Sequence, residues 1–272
     1  MTAERAYAEV ERLTRQRARN FAYGIMVLPR EKRRAIAAIY AFARRVDDVA
    51  DGDLDPERKR ALLQELDASL DAEPGDDAML VALEDARTRF PIPAPALHAL
   101  VEGGLQDLEQ SRYASFDELR CYCTKVAGAV GVCCVAVYGS DDTERAETLG
   151  IALQLINIIR DVRADWELGR VYLPQDELSS FGVSEADIAA GNASPAWHAL
   201  MTFQAERARA YLQDGLGLLR SLDSRSSLCV STFAGLYRAT LEQIEERGFD
   251  VFDGPPRLST PTKLRIVGRG LW

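Results

Sequence analysis

The stretch "IALQLINIIRDVRADWELGR", residues 151–170, decides the fold. Ile151, Leu153, Leu155, Ile156, Ile158, Ile159 and Val162 put apolar side chains nearly all round a helix, and such a helix belongs in a protein interior. Gln154, Asn157, Asp161 and Asp165 interrupt it at offsets 0, 3, 7 and 11. At 3.6 residues per turn these four fall within an arc of roughly 80°, a polar stripe about 16 Å long on a buried helix. Residues 30–51 repeat the arrangement. Tyr40, Arg44, Asp47 and Asp51 lie at offsets 0, 4, 7 and 11, flanked by Ile36, Ile39, Phe42 and Val46, with Asp48 beside the stripe.

An aspartate pair at i,i+4 is ordinarily a solvated helix face, destabilised by a few tenths of a kcal/mol through like-charge repulsion. Here the pairs sit among apolar residues, where bare carboxylates cost several kcal/mol each or take up protons. A hard divalent cation removes the conflict. Magnesium prefers oxygen ligands, keeps several waters, and is usually held by one or two carboxylates plus substrate phosphates. Asp47, Asp48, Asp51, Asn157, Asp161 and Asp165 are therefore the candidate ligands, with manganese an acceptable substitute. The chain has two histidines, His98 and His198, too few for an imidazole-rich zinc or iron site.

Arginines supply the phosphate side, because a guanidinium matches phosphate oxygens bidentately. Arg44 lies on the first stripe and Arg170 follows the second. Arg45 and Arg160 lie off the stripes, open to ion pairing or packing. No P-loop and no G-x-G-x-x-G sequence occurs, so ATP or NADPH binding has no support.

Working outward, helical periodicity runs nearly throughout and strand signals are sparse. Helices are expected over 4–18, from Pro29 to about 51, from Pro56, between the Pro/Asp/Gly clusters at 74–77 and 91–95, and over 95–111, 115–138, 142–167, 197–222 and 225–247. The stretch 169–195 reads as a loop with short helical pieces, and the tail from 253 as Pro/Gly-rich and basic. No linker composition divides the 272 residues, so one all-α domain is expected across 1–272. The net charge of −9 argues against a nucleic-acid partner. Five cysteines have neither zinc nor disulfide-framework spacing, pointing to reduced thiols and a cytoplasmic setting. The longest apolar run, "VAGAVGVCCVAVYG" at 126–139, is shorter than a membrane span and reads as a buried helix.

The motifs "YAFARRVDDVAD" (40–51) and "LQLINIIRDVRADWELGRVYLP" (153–174) resemble the two aspartate-rich motifs of the squalene/phytoene synthase family. The resemblance extends to "RNFAYGIMVLP" (19–29), "YCTKVAGAVG" (122–131) and "GLYRATLEQIEER" (235–247). It implies an isoprenoid-synthase helical bundle around a central apolar cavity. It further implies that Asp47, Asp51, Asp161 and Asp165 bind magnesium and diphosphate with help from Asn157 and Gln154, and that Arg19, Arg44 and Arg170 contact diphosphate. Tyr40, Tyr122, Tyr172 and Tyr237 would line the cavity, Tyr122 being the candidate for a chemical role. Two departures are Ala18-Arg19-Asn20, where a serine-containing segment is usual, and Ala164, where an acidic residue is more common.

Within the family, "ARNFAYGI", "YAFARRVDD" and the compact length look most like the presqualene diphosphate synthases of bacterial hopanoid pathways. The implied reaction joins two farnesyl diphosphates. One loses diphosphate, the allylic cation is attacked by the double bond of the other, and proton loss closes a cyclopropane. Phytoene and dehydrosqualene synthases share the motifs, and a non-catalytic assembly protein of the same fold would be expected to have lost them. A lipid product is compatible with peripheral membrane contact and with hand-over to downstream pathway enzymes. Arg257 and Lys263 in the basic tail are further candidates to reach phosphate.

Overall fold

In the computed structural model, residues 1–17, 24–256 and 258–269 are described, and all of their regular structure is helical. A single β-bridge, Arg112 to Val171, is the only strand-like pairing among them. The expected all-α class holds.

The helices are α1 (Ala3–Arg17), α2 (Arg30–Asp51), α3 (Pro56–Ser69), α4 (Ala78–Arg89), α5 (Ala94–Glu109), α6 (Phe116–Cys123), α7 (Ala129–Tyr138), α8 (Thr143–Glu167), α9 (Gln175–Phe181), α10 (Glu185–Ala190), α11 (Pro195–Gly215), α12 (Ser224–Glu246) and α13 (Thr260–Arg269). Their starts follow local chemistry. Asp55 accepts the Arg58 amide at 3.0 Å with Pro56 opening α3, and Asp223 accepts the Arg225 and Ser226 amides at α12. Such caps satisfy amides that a helix's first turn leaves unpaired. Gly139 (φ 84°) and Gly169 (φ 78°) end α7 and the turn after α8 in left-handed conformations that favour glycine.

One buried cluster runs from Ala6 to Val251. Helix α8 lies at its centre, packed by α7, α11, α12 and the segment after α6. Close approach is built from small residues. A Cβ on Gly150 would sit 2.3 Å from the Ala127 carbonyl oxygen, and one on Gly131 would sit 2.1 Å from that of Ala146. These contacts bring α7 against α8 at backbone distance.

The expected single helix over 115–138 is interrupted by a π turn, Thr124–Gly128. The 23 residues Phe116–Tyr138 are long and apolar enough to cross a membrane by length and composition. The segment instead packs against α2, α5 and α8. The tail differs from expectation too. Residues 260–269 form α13, whose Thr262 amide donates to Ser259 Oγ at 3.3 Å. The 197–222 expectation divides into α11 and a 3-10 turn, Leu216–Ser221.

Candidate active site

Helices α2, α5, α7, α8 and α12 surround a cavity of about 490 Å³, a size typical of small-molecule sites. On α8 its lining recurs turn by turn, from Ala146 and Leu149 through Leu153, Gln154 and Asn157 to Asp161 and Asp165. On α2 it runs from Ile36 and Ile39 through Tyr40 and Arg44 to Asp47 and Asp51. Both predicted stripes therefore face the same space. Their polar ends share one end of the cavity, and aliphatic residues fill the other. Tyr122, Arg170, Tyr172 and Tyr237 also line it.

The π turn explains how one helix serves both ends. Sixteen residues separate Tyr122 from Tyr138, and an uninterrupted α-helix would leave them about 160° apart in rotation. A π turn is wider and takes back part of that drift. Tyr122 at the polar end and Tyr138 at the apolar end consequently both line the cavity.

Charge is concentrated at the polar end. Among the described residues, five lining carboxylates (Asp47, Asp51, Asp107, Asp161, Asp165) meet three guanidiniums (Arg44, Arg160, Arg170), a formal excess of two negative charges. Asp47 is open to the cavity, but the surrounding walls limit its hydration and push its pKa up to about 7, with Arg44 opposing and Asp51 adding. Burial, and then the like charge of Asp161, push Asp165 up to about 8. Groups displaced this far by desolvation and like charge mark functional sites more often than chance.

Arg170 crosses between the ladders. It follows the Gly169 turn, its amide donates to the Asp165 carbonyl at 2.8 Å, and its Nη1 donates to Asp51 Oδ1 at 2.5 Å. Arg160 grips Asp161 with two hydrogen bonds of 2.8 and 2.5 Å. Of the two arginines read as lying off the stripes, Arg160 thus reaches the cavity, whereas Arg45 pairs with Asp77 at 2.6 Å. Asp48 does not join the lining. It is turned about 100° from Asp47, is exposed, and pairs with Arg44 at 2.6 Å. Lys263 is also absent from the lining, and Arg19 and Arg257 lie outside the described residues.

Sequence reading missed Asp107. Its two carboxylate oxygens accept the Tyr122 and Tyr172 hydroxyls, each at 2.8 Å, and the two hydroxyls lie 3.2 Å apart. Burial raises its pKa. Tyr113, also missed, is fully buried beside this pair, with ring centroids 5.3 Å from Tyr122 and 5.8 Å from Tyr172. Leu100, Gly104 and Asp107 line the cavity from α5 at helical spacing. A Cβ on Gly104 would sit 2.6 Å from Val46 Cγ1, so a glycine one turn before an aspartate was the available signal.

The residues fit a hard cation bridged to phosphate. Among the described residues no three His, Cys, Asp or Glu side chains converge into a complete metal cage. Magnesium needs none when phosphate and water complete its shell. Asn157 donates to Gln154 Oε1 at 3.2 Å, while its own Oδ1 is buried with no hydrogen-bond partner among the described residues. An orphaned hard oxygen beside a carboxylate excess suits such an ion.

This arrangement, carboxylates and arginines at one end of an apolar cavity inside a helical bundle, defines a class of enzymes acting on long-chain diphosphates. The chain belongs to the squalene/phytoene synthase family, which it matches over residues 14–262, and it is a head-to-head prenyltransferase. It is 42% identical to the phytoene synthase of Mycobacterium tuberculosis, covering 98% of this chain and 91% of that one. The 15-cis-phytoene synthase of Synechococcus elongatus is 38% identical, over 95% and 90%. Among solved structures, squalene synthase HpnC from Alicyclobacillus acidocaldarius superposes with a TM-score of 0.82 at 26% identity, covering 93% and 97%. A ligand-bound dehydrosqualene synthase shares the fold, with a TM-score of 0.91 at 24% identity over 99% and 96%.

Proposed function

We propose that this protein joins two farnesyl diphosphates head to head to give presqualene diphosphate, using magnesium. The observation that carries the proposal is the meeting of both ladders at the open end of a cavity whose other end is apolar. Asp47, Asp51, Asp161 and Asp165 would hold the ion, with Asn157 Oδ1 as a neutral ligand. Bound there, magnesium supplies neutralisation of the charge that develops on a departing diphosphate. Arg44, Arg160 and Arg170 add fixed positive charge to the same oxygens.

The C1–O bond of one substrate breaks and its electron pair leaves with diphosphate. The resulting allylic cation is attacked by the C2–C3 double bond of the second molecule. Loss of a proton from the first molecule's C1 then closes the cyclopropane, and the second diphosphate is retained. The apolar wall of Leu153, Ile158, Val126 and Val130 excludes water that would trap the cation. Burial keeps the Tyr122 phenol neutral, so its role is to orient. With Asp107 as its acceptor it presents a fixed dipole near the reacting carbons, and released diphosphate is the proton acceptor.

Depth along the α2 wall favours a C15 substrate. Ile36 to Asp47 spans eleven residues, about 16 Å, while Ala146 to Asp161 on α8 spans fifteen, about 22 Å, so α2 is the shorter wall. An extended carbon chain advances about 1.25 Å per bond, making a farnesyl group about 14 Å long and a geranylgeranyl group about 19 Å. The diphosphate bridge also occupies part of the depth. A second reading, phytoene from two geranylgeranyl diphosphates, is favoured by the names of the relatives at 42% and 38% identity.

Incubation with farnesyl or geranylgeranyl diphosphate, magnesium and no reduced nicotinamide tests these readings. A cyclopropyl C30 diphosphate is the expected product. A C40 triene hydrocarbon as the main product contradicts it in favour of phytoene. The proposed setting is cytoplasmic, with contact to a membrane surface when product is handed on.

A further inference from the structure

Counted away from the aspartates, the last lining residue on each wall is Ile36 on α2, Tyr138 on α7, Ala146 on α8, Leu218 on the 3-10 turn and Val230 on α12. Tyr138 is the largest of these, and its ring is 6% exposed. It is also fixed at both ends. Its carbonyl accepts Lys32 Nζ at 2.7 Å, and its hydroxyl lies 3.6 Å from Cys229 Sγ. Lys32 sits one turn before Ile36 and also binds Asp223 Oδ2 at 2.7 Å and Ser226 Oγ at 3.2 Å. One ammonium therefore ties the start of α2, the end of α7 and the start of α12 together beneath the cavity.

We infer that Tyr138 is the floor of the prenyl-binding cavity and sets the longest chain this enzyme accepts. The inference rests on the prenyl diphosphate reading of the site. A side chain that merely filled space could swing aside for a longer substrate at small cost. Tyr138 is held against that motion by its buried packing and by the hydroxyl–thiol contact, on a backbone that Lys32 anchors, so the floor resists displacement. Removing the ring lengthens the cavity by about one isoprene unit, the difference between a C15 and a C20 chain. Val230, across the cavity on α12, offers the opposite change, because enlarging it raises the floor.

The experiment measures kcat/KM for farnesyl and geranylgeranyl diphosphate on wild type, Tyr138→Ala and Val230→Phe, with circular dichroism and melting curves to establish folding. Tyr138→Ala is expected to raise the C20:C15 ratio at least tenfold, mainly through the C20 substrate. Val230→Phe is expected to lower that ratio at least threefold, and it serves as the test if the alanine variant does not fold. Ratios unmoved in folded variants overturn the floor assignment. A wild type that prefers the C20 substrate overturns the C15 reading alone, and opposite movement of the two ratios still upholds the floor. No turnover of either substrate by wild type overturns the prenyl diphosphate reading on which both depend.

Discussion

At the scale of single residues, the carboxylates at the polar end divide by what they face. Asp107 accepts two phenols, Asp51 and Asp161 are gripped by arginines, and desolvation pushes Asp47 and Asp165 up to about 7 and 8. Asp107→Asn preserves shape and removes a desolvated charge. Its kcat is expected to fall about 100-fold, the scale of one lost preorganised dipole, while its Tm holds or rises. Steady-state kinetics beside a melting curve check this, and an unchanged kcat removes Asp107 from the mechanism. The ladder residues were legible in the sequence because four polar side chains at helical spacing stood out against an apolar helix. Asp107 was not, since it stands on α5 as one of three acids, Glu102, Asp107 and Glu109, with no second polar residue one or two turns before it to complete a stripe with it. Gly104, one turn before Asp107 and packed against Val46, is the feature that marks which of those acids turns inward.

At the scale of elements, α8 works as a ruler because its neighbours touch it backbone to backbone. Gly150→Ala drives a methyl into the Ala127 carbonyl oxygen. Such overpacking costs about 1–3 kcal/mol, and calorimetry should show Tm lowered by several degrees; an unshifted Tm means that the π turn and α8 can separate freely. Helix α1 is held differently, by Arg34 on Glu4 and by the Tyr7 hydroxyl on Asp85 at 2.8 Å. The Arg34 hydrogen bond holds Glu4 down to about 2, from an ordinary 4.5, and Arg89 and Tyr7 lower Asp85. A depressed carboxylate pKa adds stability above the unfolded value that is lost as pH falls toward the folded one. The small Tm advantage of wild type over Glu4→Gln should therefore be present at pH 6 and vanish between about pH 4.5 and 2, and salt should reduce it. A gap that persists at pH 2 contradicts the assignment. Helix positions followed from periodicity and caps, whereas the π turn at Thr124–Gly128 did not. Its residues include the β-branched Thr124 and Val126 and also Gly128, which weaken a helix without specifying a wider turn.

At the scale of the whole molecule, the sequence reading of an all-helical enzyme with two facing aspartate ladders matches the arrangement of the bundle, because a stripe on a buried helix leaves its polar atoms only an internal cavity to face. The depth of that cavity could not be read along the chain. It depends on Tyr138, Leu218 and Val230, which are distant in sequence and are brought together by the packing of the bundle, with Lys32 bonding to the end of α7 and the start of α12. The central claim is that both ladders act on a single metal-bridged diphosphate. Inorganic diphosphate release from farnesyl diphosphate, followed with and without magnesium in wild type, Asp47→Asn and Asp161→Asn, tests it most directly. Magnesium-dependent release is expected in wild type, one diphosphate for every two substrates consumed. A loss of about 100-fold or more is expected in each variant, with helical content intact. Near-normal release in both folded variants, with magnesium still required, would contradict the central claim.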